Sequence, residues 1–223
     1  METTVGVVLC GCGRFDGSEI QEAVLTLLHL DRAGARARCF APDDAQWAVC
    51  DAFTGAPRPH ESRNMLQESA RIARGRVEPL TAARAAEMDA LILPGGSGAA
   101  RNLGSFAEHG ARGTLRPELH ALLLDCVALR KPIGAICIAP ALVALALGDR
   151  RPRLTLGPPD REPALAAAAT GARLVDCPVD GVVVDEDLLI VSTPAYVVAQ
   201  RLAEADAGIG RLVAEVLRLA RPR

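Results

Sequence analysis

The chain is punctuated in a way that leaves few folds open to it. Short runs rich in leucine or β-branched residues, each bounded by glycine or proline, alternate with longer stretches whose apolar residues recur at helical spacing. βαβ units around a mostly parallel sheet need that alternation, because strands buried on both faces read as near-continuous apolar runs and the crossovers between them are helices. Residues 4–10 read as the first strand, residues 19–33 as a helix with Ile20, Ala23, Val24, Leu27 and Leu28 as its apolar positions, and residues 35–41 as the second strand. Further along, the pattern predicts a helix over residues 63–74 ending at Gly75 and a buried strand over residues 89–93 running into Pro94-Gly95-Gly96. A helix over residues 116–130, a strand over 132–136 and a helix over 139–147 follow. Near the C-terminus, residues 182–185 and 188–192 flank Glu186-Asp187 as a hairpin, and residues 195–219 carry a long amphipathic pattern that Gly208 and Gly210 could interrupt.

Composition narrows the function classes. With 223 residues, 50% of them hydrophobic and 23% charged, the chain can bury about 70–75% of its unfolded surface in one core, so a single domain over residues 1–223 is expected. The proline-rich stretch at 150–163 then reads as a surface excursion. Lys and Arg number 25 against 27 Asp and Glu, so there is no basic field to gather a phosphate backbone, and nucleic acid is not an expected partner. No apolar run approaches the roughly 18–20 residues that span a bilayer, and Met1 leads into Val5-Gly6-Val7-Val8-Leu9 without a charged leader pattern. A cytoplasmic protein with no membrane partner is the expectation. Seven cysteines, mostly inside apolar runs, read as reduced thiols; only Cys10-x-Cys12 is closely spaced, and no second pair completes a zinc site, so neither metal nor cofactor is expected.

Three segments carry chemistry. In Gly134-Ala135-Ile136-Cys137-Ile138-Ala139-Pro140 a thiol stands between a short buried strand and a helix opened by Pro140. A sulfur lifted out of the sheet there, beside unsatisfied helix N–H groups, is expected to have a lowered pKa and to act as a nucleophile; the plainer reading is a buried small hydrophobe. The loop Gly11-Cys12-Gly13-Arg14-Phe15-Asp16-Gly17-Ser18-Glu19 brings a carboxylate to the edge of the sheet that holds ligands in open α/β folds. Glu19 could exchange a proton with substrate there, or Asp16 and Glu19 could form a capping box ahead of the helix. The third segment, Pro94-Gly95-Gly96-Ser97-Gly98, lets backbone N–H groups approach an oxyanion, with the Gly96 and Ile138 amides as the pair.

Two alternatives are weaker. Gly11-x-Gly13-x-x-x-Gly17, with Asp43 and Asp44 beyond the second strand, imitates a dinucleotide fingerprint but is off register by one residue, and its acids stand where a pyrophosphate would sit. His29, His60, His109 and His120 all precede Cys137, so no local histidine offers itself as the base of a Cys-His-acid hydrolase.

Taken together, the segments resemble a known family. Gly11-Cys12-Gly13 with Asp16-Gly17-Ser18-Glu19, Arg63-Asn64 with Glu68-x-Ala70-Arg71-Ile72, and Leu93-Pro94-Gly95-Gly96-x-Gly98-Ala99-Ala100 with Asn102-Leu103 stand in the order seen in the DJ-one/PfpI group of the class I glutamine amidotransferase-like superfamily. Cys137-Ile138-Ala139-Pro140, Cys177-Pro178-Val179-Asp180 and Thr193-Pro194-Ala195-Tyr196 extend the match over nearly the whole chain, and the ElbB-type glyoxalases resemble it most. The resemblance implies a flavodoxin-like three-layer α/β sandwich and a homodimer. It implies a catalytic Cys137 on a nucleophile elbow with Glu19 reaching it, and Gly95, Gly96, Ile138, Gly13 and Asn102 as oxyanion or substrate-binding positions. The implied activity is cofactor-free, glutathione-independent conversion of a small reactive carbonyl, glyoxal or methylglyoxal, to a 2-hydroxy acid; a redox sensor or regulatory protein using the same cysteine is the alternative. Ile138 replaces the histidine that follows the nucleophile in PfpI-type members, and the downstream His-x-Glu pair of glutamine amidotransferases is missing, so neither protease nor amidotransferase activity is implied.

Overall fold

The computed structural model describes residues 2–221. Nine strands follow in chain order: β1 (Thr4–Val8), β2 (Arg36–Ala41), β3 (Val77–Pro79), β4 (Ala90–Leu93), β5 (Ile133–Ile136), β6 (Arg153–Leu154), β7 (Arg173–Leu174), β8 (Val183–Asp185) and β9 (Ile190–Thr193). Seven of them form one sheet in the order β3-β2-β1-β4-β5-β9-β8, parallel throughout except for the β8–β9 hairpin, while β6 and β7 make a separate parallel ribbon. The helices are α1 (Ile20–Arg32), α2 (Met65–Ala73), α3 (Ala99–Asn102), α4 (Phe106–His109), α5 (Pro117–Ala128), α6 (Ala139–Leu147), α7 (Ala164–Ala168) and α8 (Leu202–Ala220). This is the expected flavodoxin-like sandwich.

Side chains alternate along each strand and feed two cores. Leu91 and Leu93 of β4 join Leu119, Leu122 and Leu123 of α5 and the apolar α6 on one face. Ala90 and Ile92 of the same strand join α1 and the Ile209, Leu212, Val213 and Val216 stripe of α8 on the other. Strand β3 escapes the sequence pattern because it is three residues long and ends in proline. The expected helix from residue 195 starts instead at Leu202, after a 3-10 turn over Ala195–Val197. Gly208 and Gly210 do not break it: a Cβ on Gly210 would stand 2.7 Å from the His29 ring, so the glycine lets α1 and α8 approach.

Helix α1 is turned relative to its apolar pattern. Ile20, Val24 and Leu28 are 43%, 46% and 36% exposed, whereas Glu22, Ala23, Leu25, Thr26 and Leu30 are buried. The rotation holds because the inward polar groups find partners, with the Thr26 hydroxyl donating to the Glu22 carbonyl at 2.7 Å and the Gly95 N–H donating to the Glu22 carboxyl at 2.9 Å. Leu30→Ala is expected to lower stability in urea denaturation by about 2–5 kcal/mol, and Val24→Ala by less than about 0.5 kcal/mol. Equal losses would show that the outward stripe contributes to the core after all.

Candidate active site

In this sheet the chain steps outward from β1 through β2 to β3, then returns to add β4 and β5 on the other side. Loops after β1 and β4 therefore part company at the carboxyl edge, opening a crevice where such sheets bind ligands. Three loop segments meet there: the turn from Gly11 to Ser18, the glycine run after β4, and Cys137 immediately after β5.

Cys137 sits in the left-handed region at φ 60° and is partly exposed, with Ile138 capping α6 behind it. A side chain with a Cβ held there costs about 1 kcal/mol or more, which the N–H bond to the Thr193 carbonyl at 3.0 Å and the packed strands around it sustain. The Gly96 and Ile138 N–H groups lie close enough to the sulfur to favour its thiolate. The thiol pKa runs opposite to expectation, however: desolvation and the nearby Glu22 charge push it well up, and the two amides only partly oppose them.

The carboxyl beside the thiol is that of Glu22, not Glu19. A Cβ placed on Gly95 would lie 2.7 Å from Cys137 Cβ and 2.8 Å from Glu22 Oε2, so both side chains crowd the space that this glycine leaves open. Glu22 is fully buried; its Oε2 takes the Gly95 N–H, while Oε1 has no hydrogen-bond partner among the described residues. Burial first, and the Glu19 charge second, raise its pKa to about 7, against the contacts of the Cys137 thiol and the Gly95 and Tyr196 N–H groups.

Glu19 has a different task. It is the N-cap of α1, accepting the Glu22 N–H at 2.7 Å, and it lines the crevice without being the thiol's carboxyl partner. The expected cap, Asp16, is buried with its carboxylate accepting the Cys50 N–H at 2.8 Å. Two binding candidates, Asn102 and Gly95, are likewise corrected, since neither lines the cleft, whereas Gly13 does. Asn102 is 4% exposed and uses its amide on the Cys10 and Asp16 carbonyls and the Trp47 N–H, so it shapes the loop from behind. The Gly13 N–H goes to the Ser18 carbonyl at 2.9 Å and that of Gly95 to Glu22, which leaves Gly96 and Ile138 as the amides near the sulfur.

Cys137, but not the buried Glu22, lines a cleft of about 820 Å3 together with Cys12, Arg14, Glu19, Arg63 and Tyr196. The Tyr196 hydroxyl donates to Gln21, closing one side. No histidine lines it, and His29 pairs with Asp206 between α1 and α8 at 2.8 Å. The dinucleotide alternative loses its footing, since Glu19 occupies the α1 N-terminus, Asp43 accepts from Asn64, and Asp44 pairs with Arg116 at 2.8 Å.

Comparison with known proteins fits this geometry. A rat protein, ES1 protein homolog, mitochondrial, is 41% identical over 223 residues, covering 96% of this chain and 83% of its own length. The human glutamine amidotransferase-like class 1 domain-containing protein 3, mitochondrial, is 42% identical over 96% of this chain and 82% of its own length. The chain belongs to the ES1 family of amidotransferase-like proteins. No family model matches it. The crystal structure of an isoprenoid biosynthesis protein with amidotransferase-like domain from Ehrlichia chaffeensis superposes with a TM-score of 0.91 at 36% identity, covering 98% of this chain and all of the other. Drosophila DJ-1beta, at 18% identity and a TM-score of 0.57, shares the fold. Both curated relatives are named mitochondrial, so the cytoplasmic expectation gains no support from them. Among the described residues no helix is long and apolar enough to cross a membrane.

Glu22 was discoverable in this ES1-family sequence. A glutamate four residues before Thr26 and eight before Leu30 lies on one helical stripe with Ala23, and an acid there must be either paired or functional. Because the folded-state pKa of Glu22 lies above its unfolded value, its contribution is intact below about pH 4 and is lost as pH rises through about 7. Glu22→Gln is therefore expected to be more stable than wild type at pH 8, by up to roughly 3 kcal/mol, and to converge with it near pH 4. Parallel thermal melts across that range check this; a pH-independent difference would refute the buried, titrating carboxyl.

Proposed function

We propose that this chain is a cofactor-free, glutathione-independent glyoxalase-like enzyme that converts glyoxal or methylglyoxal to a 2-hydroxy acid, with Cys137 as nucleophile and Glu22, in place of Glu19, as proton shuttle. The observation that carries the reading is a titratable carboxyl with a free oxygen beside a thiol on a strained elbow. The sulfur adds to the aldehyde carbon, forming the C–S bond, and the thiol proton passes through Glu22 to the carbonyl oxygen, giving a thiohemiacetal. The Glu22 carboxylate then takes the proton from that carbon and returns it to the neighbouring carbon through an enediol, leaving a 2-hydroxy thioester. Water cleaves the thioester, releasing the acid and restoring the thiol, so methylglyoxal plus water balances as lactate. The Gly96 and Ile138 amides hold the negative oxygen as it forms. A homodimer is part of the same proposal.

Lactate formation from methylglyoxal without glutathione tests it. Wild type should turn over, Cys137→Ala should be silent, and Glu22→Gln should fall by about 10²–10⁴-fold while Glu19→Gln keeps most of the rate. Wild type that makes no lactate, or a Glu22→Gln variant at full rate, refutes the mechanism.

The same pair favours a second reading, a peroxide sensor. Two equivalents of hydrogen peroxide would carry the Cys137 thiolate through sulfenic to sulfinic acid, releasing two waters, and protonated Glu22 would donate to the product. Peptide mass spectra after mild peroxide should then show oxygen at Cys137 ahead of the other six cysteines; even labelling excludes it.

A further inference from the structure

The cleft is far larger than a three-carbon dicarbonyl needs. About 820 Å3 lies in the range that houses ligands of drug size, and its lining carries two arginines, Arg14 on the loop after β1 and Arg63 just ahead of α2. A neutral dicarbonyl would gain nothing from either. The two acids on the same lining are bonded elsewhere, Asp16 to the buried Cys50 amide and Glu19 to the end of α1, where Glu19 feels the Arg14 charge without pairing with it. Arg14 makes no ion pair with any described residue and lies over the Phe15 ring at 4.3 Å, which orients its fork. Arg63 has a single long contact with Glu61 at 3.5 Å. Elsewhere, arginines such as Arg116 and Arg101 are closed onto carboxylates at 2.8 and 2.9 Å.

We infer that the cleft selects carbonyl substrates that carry a carboxylate, with Arg14 and Arg63 as the specificity-determining residues. A guanidinium matches a carboxylate through paired N–H donors, and two of them in a partly enclosed cleft raise the local concentration of anions. They also offset the repulsion that an anionic substrate meets from the Cys137–Glu22 pair. The inference rests on Cys137 being the reacting group, but not on the chemistry that follows.

Alkylation separates the two. Iodoacetate and iodoacetamide each lose iodide to the Cys137 sulfur as the new C–S bond forms, and they differ in the charge they bring into the cleft. The rate ratio of iodoacetate to iodoacetamide, read at the Cys137 peptide by mass spectrometry, should exceed that of glutathione by about five-fold or more. Arg14→Gln with Arg63→Gln should return the ratio to that of glutathione, whereas Arg14→Lys with Arg63→Lys should retain most of it. Should the glutamine variant fail to fold, raising sodium chloride on the wild type should compress the ratio towards the same value. A wild-type ratio at or below that of glutathione overturns the anion reading while leaving the reactive thiol standing. A preference that survives both the glutamine variant and high salt overturns the assignment to these arginines. Inertness of Cys137 to both reagents removes this inference and the proposed chemistry together.

Discussion

One hydrogen bond, from the Gly95 N–H to Glu22 Oε2 across a separation of 73 residues, holds the rest of the site in register. It joins the first turn of α1 to the end of β4, the two parts of the chain that diverge at the topological switch. The bond fixes how α1 is rotated about its axis, which in turn decides that three apolar side chains face outward and one acid faces in. Hydrogen bonding in the buried carboxyl's surroundings thus outweighs a stripe of aliphatic surface that is only partly removed from solvent in either rotation.

Much of the fold was legible because parallel strands buried on both faces cannot hide: β1, β4 and β5 appear as apolar runs ending in glycine, cysteine or proline. The β8–β9 hairpin showed equally plainly through Glu186-Asp187. What failed to show was anything decided by tertiary partners. The Ile20, Ala23, Val24, Leu27 and Leu28 pattern ranked side chains by polarity alone, so it pointed at the outward stripe, and the carboxyl beside the thiol was sought in the loop when it lies in the first turn of the helix. Asn102 was a ligand-contact candidate only through the family resemblance; its amide is instead saturated by backbone groups that the linear order keeps 86 and 92 residues away.

The electrostatic design of the pair follows from those positions. A thiol and a carboxyl in mutual contact cannot both ionise without repulsion, and burial adds to it, so both are held protonated beyond their ordinary ranges. The helix-end amides favour the Cys137 thiolate, but burial first and the Glu22 charge second outweigh them.

Ala195 shares with Cys137 a backbone angle that few side chains tolerate, φ 41° against 60°, and the two residues end neighbouring parallel strands, β9 and β5. Glycine at 195 would relieve up to about 1 kcal/mol of torsional strain, but it would also remove a methyl fully buried in the layer shared with α1 and α8. Selection for heat resistance at 195 therefore weighs that strain against the lost packing, and a freer backbone there would let the Tyr196 amide swing away from the Glu22 carboxyl. Backbone strain and core packing are in this way opposed at a single alanine, and a heat-selected library would record which of the two the molecule gives up to keep the other.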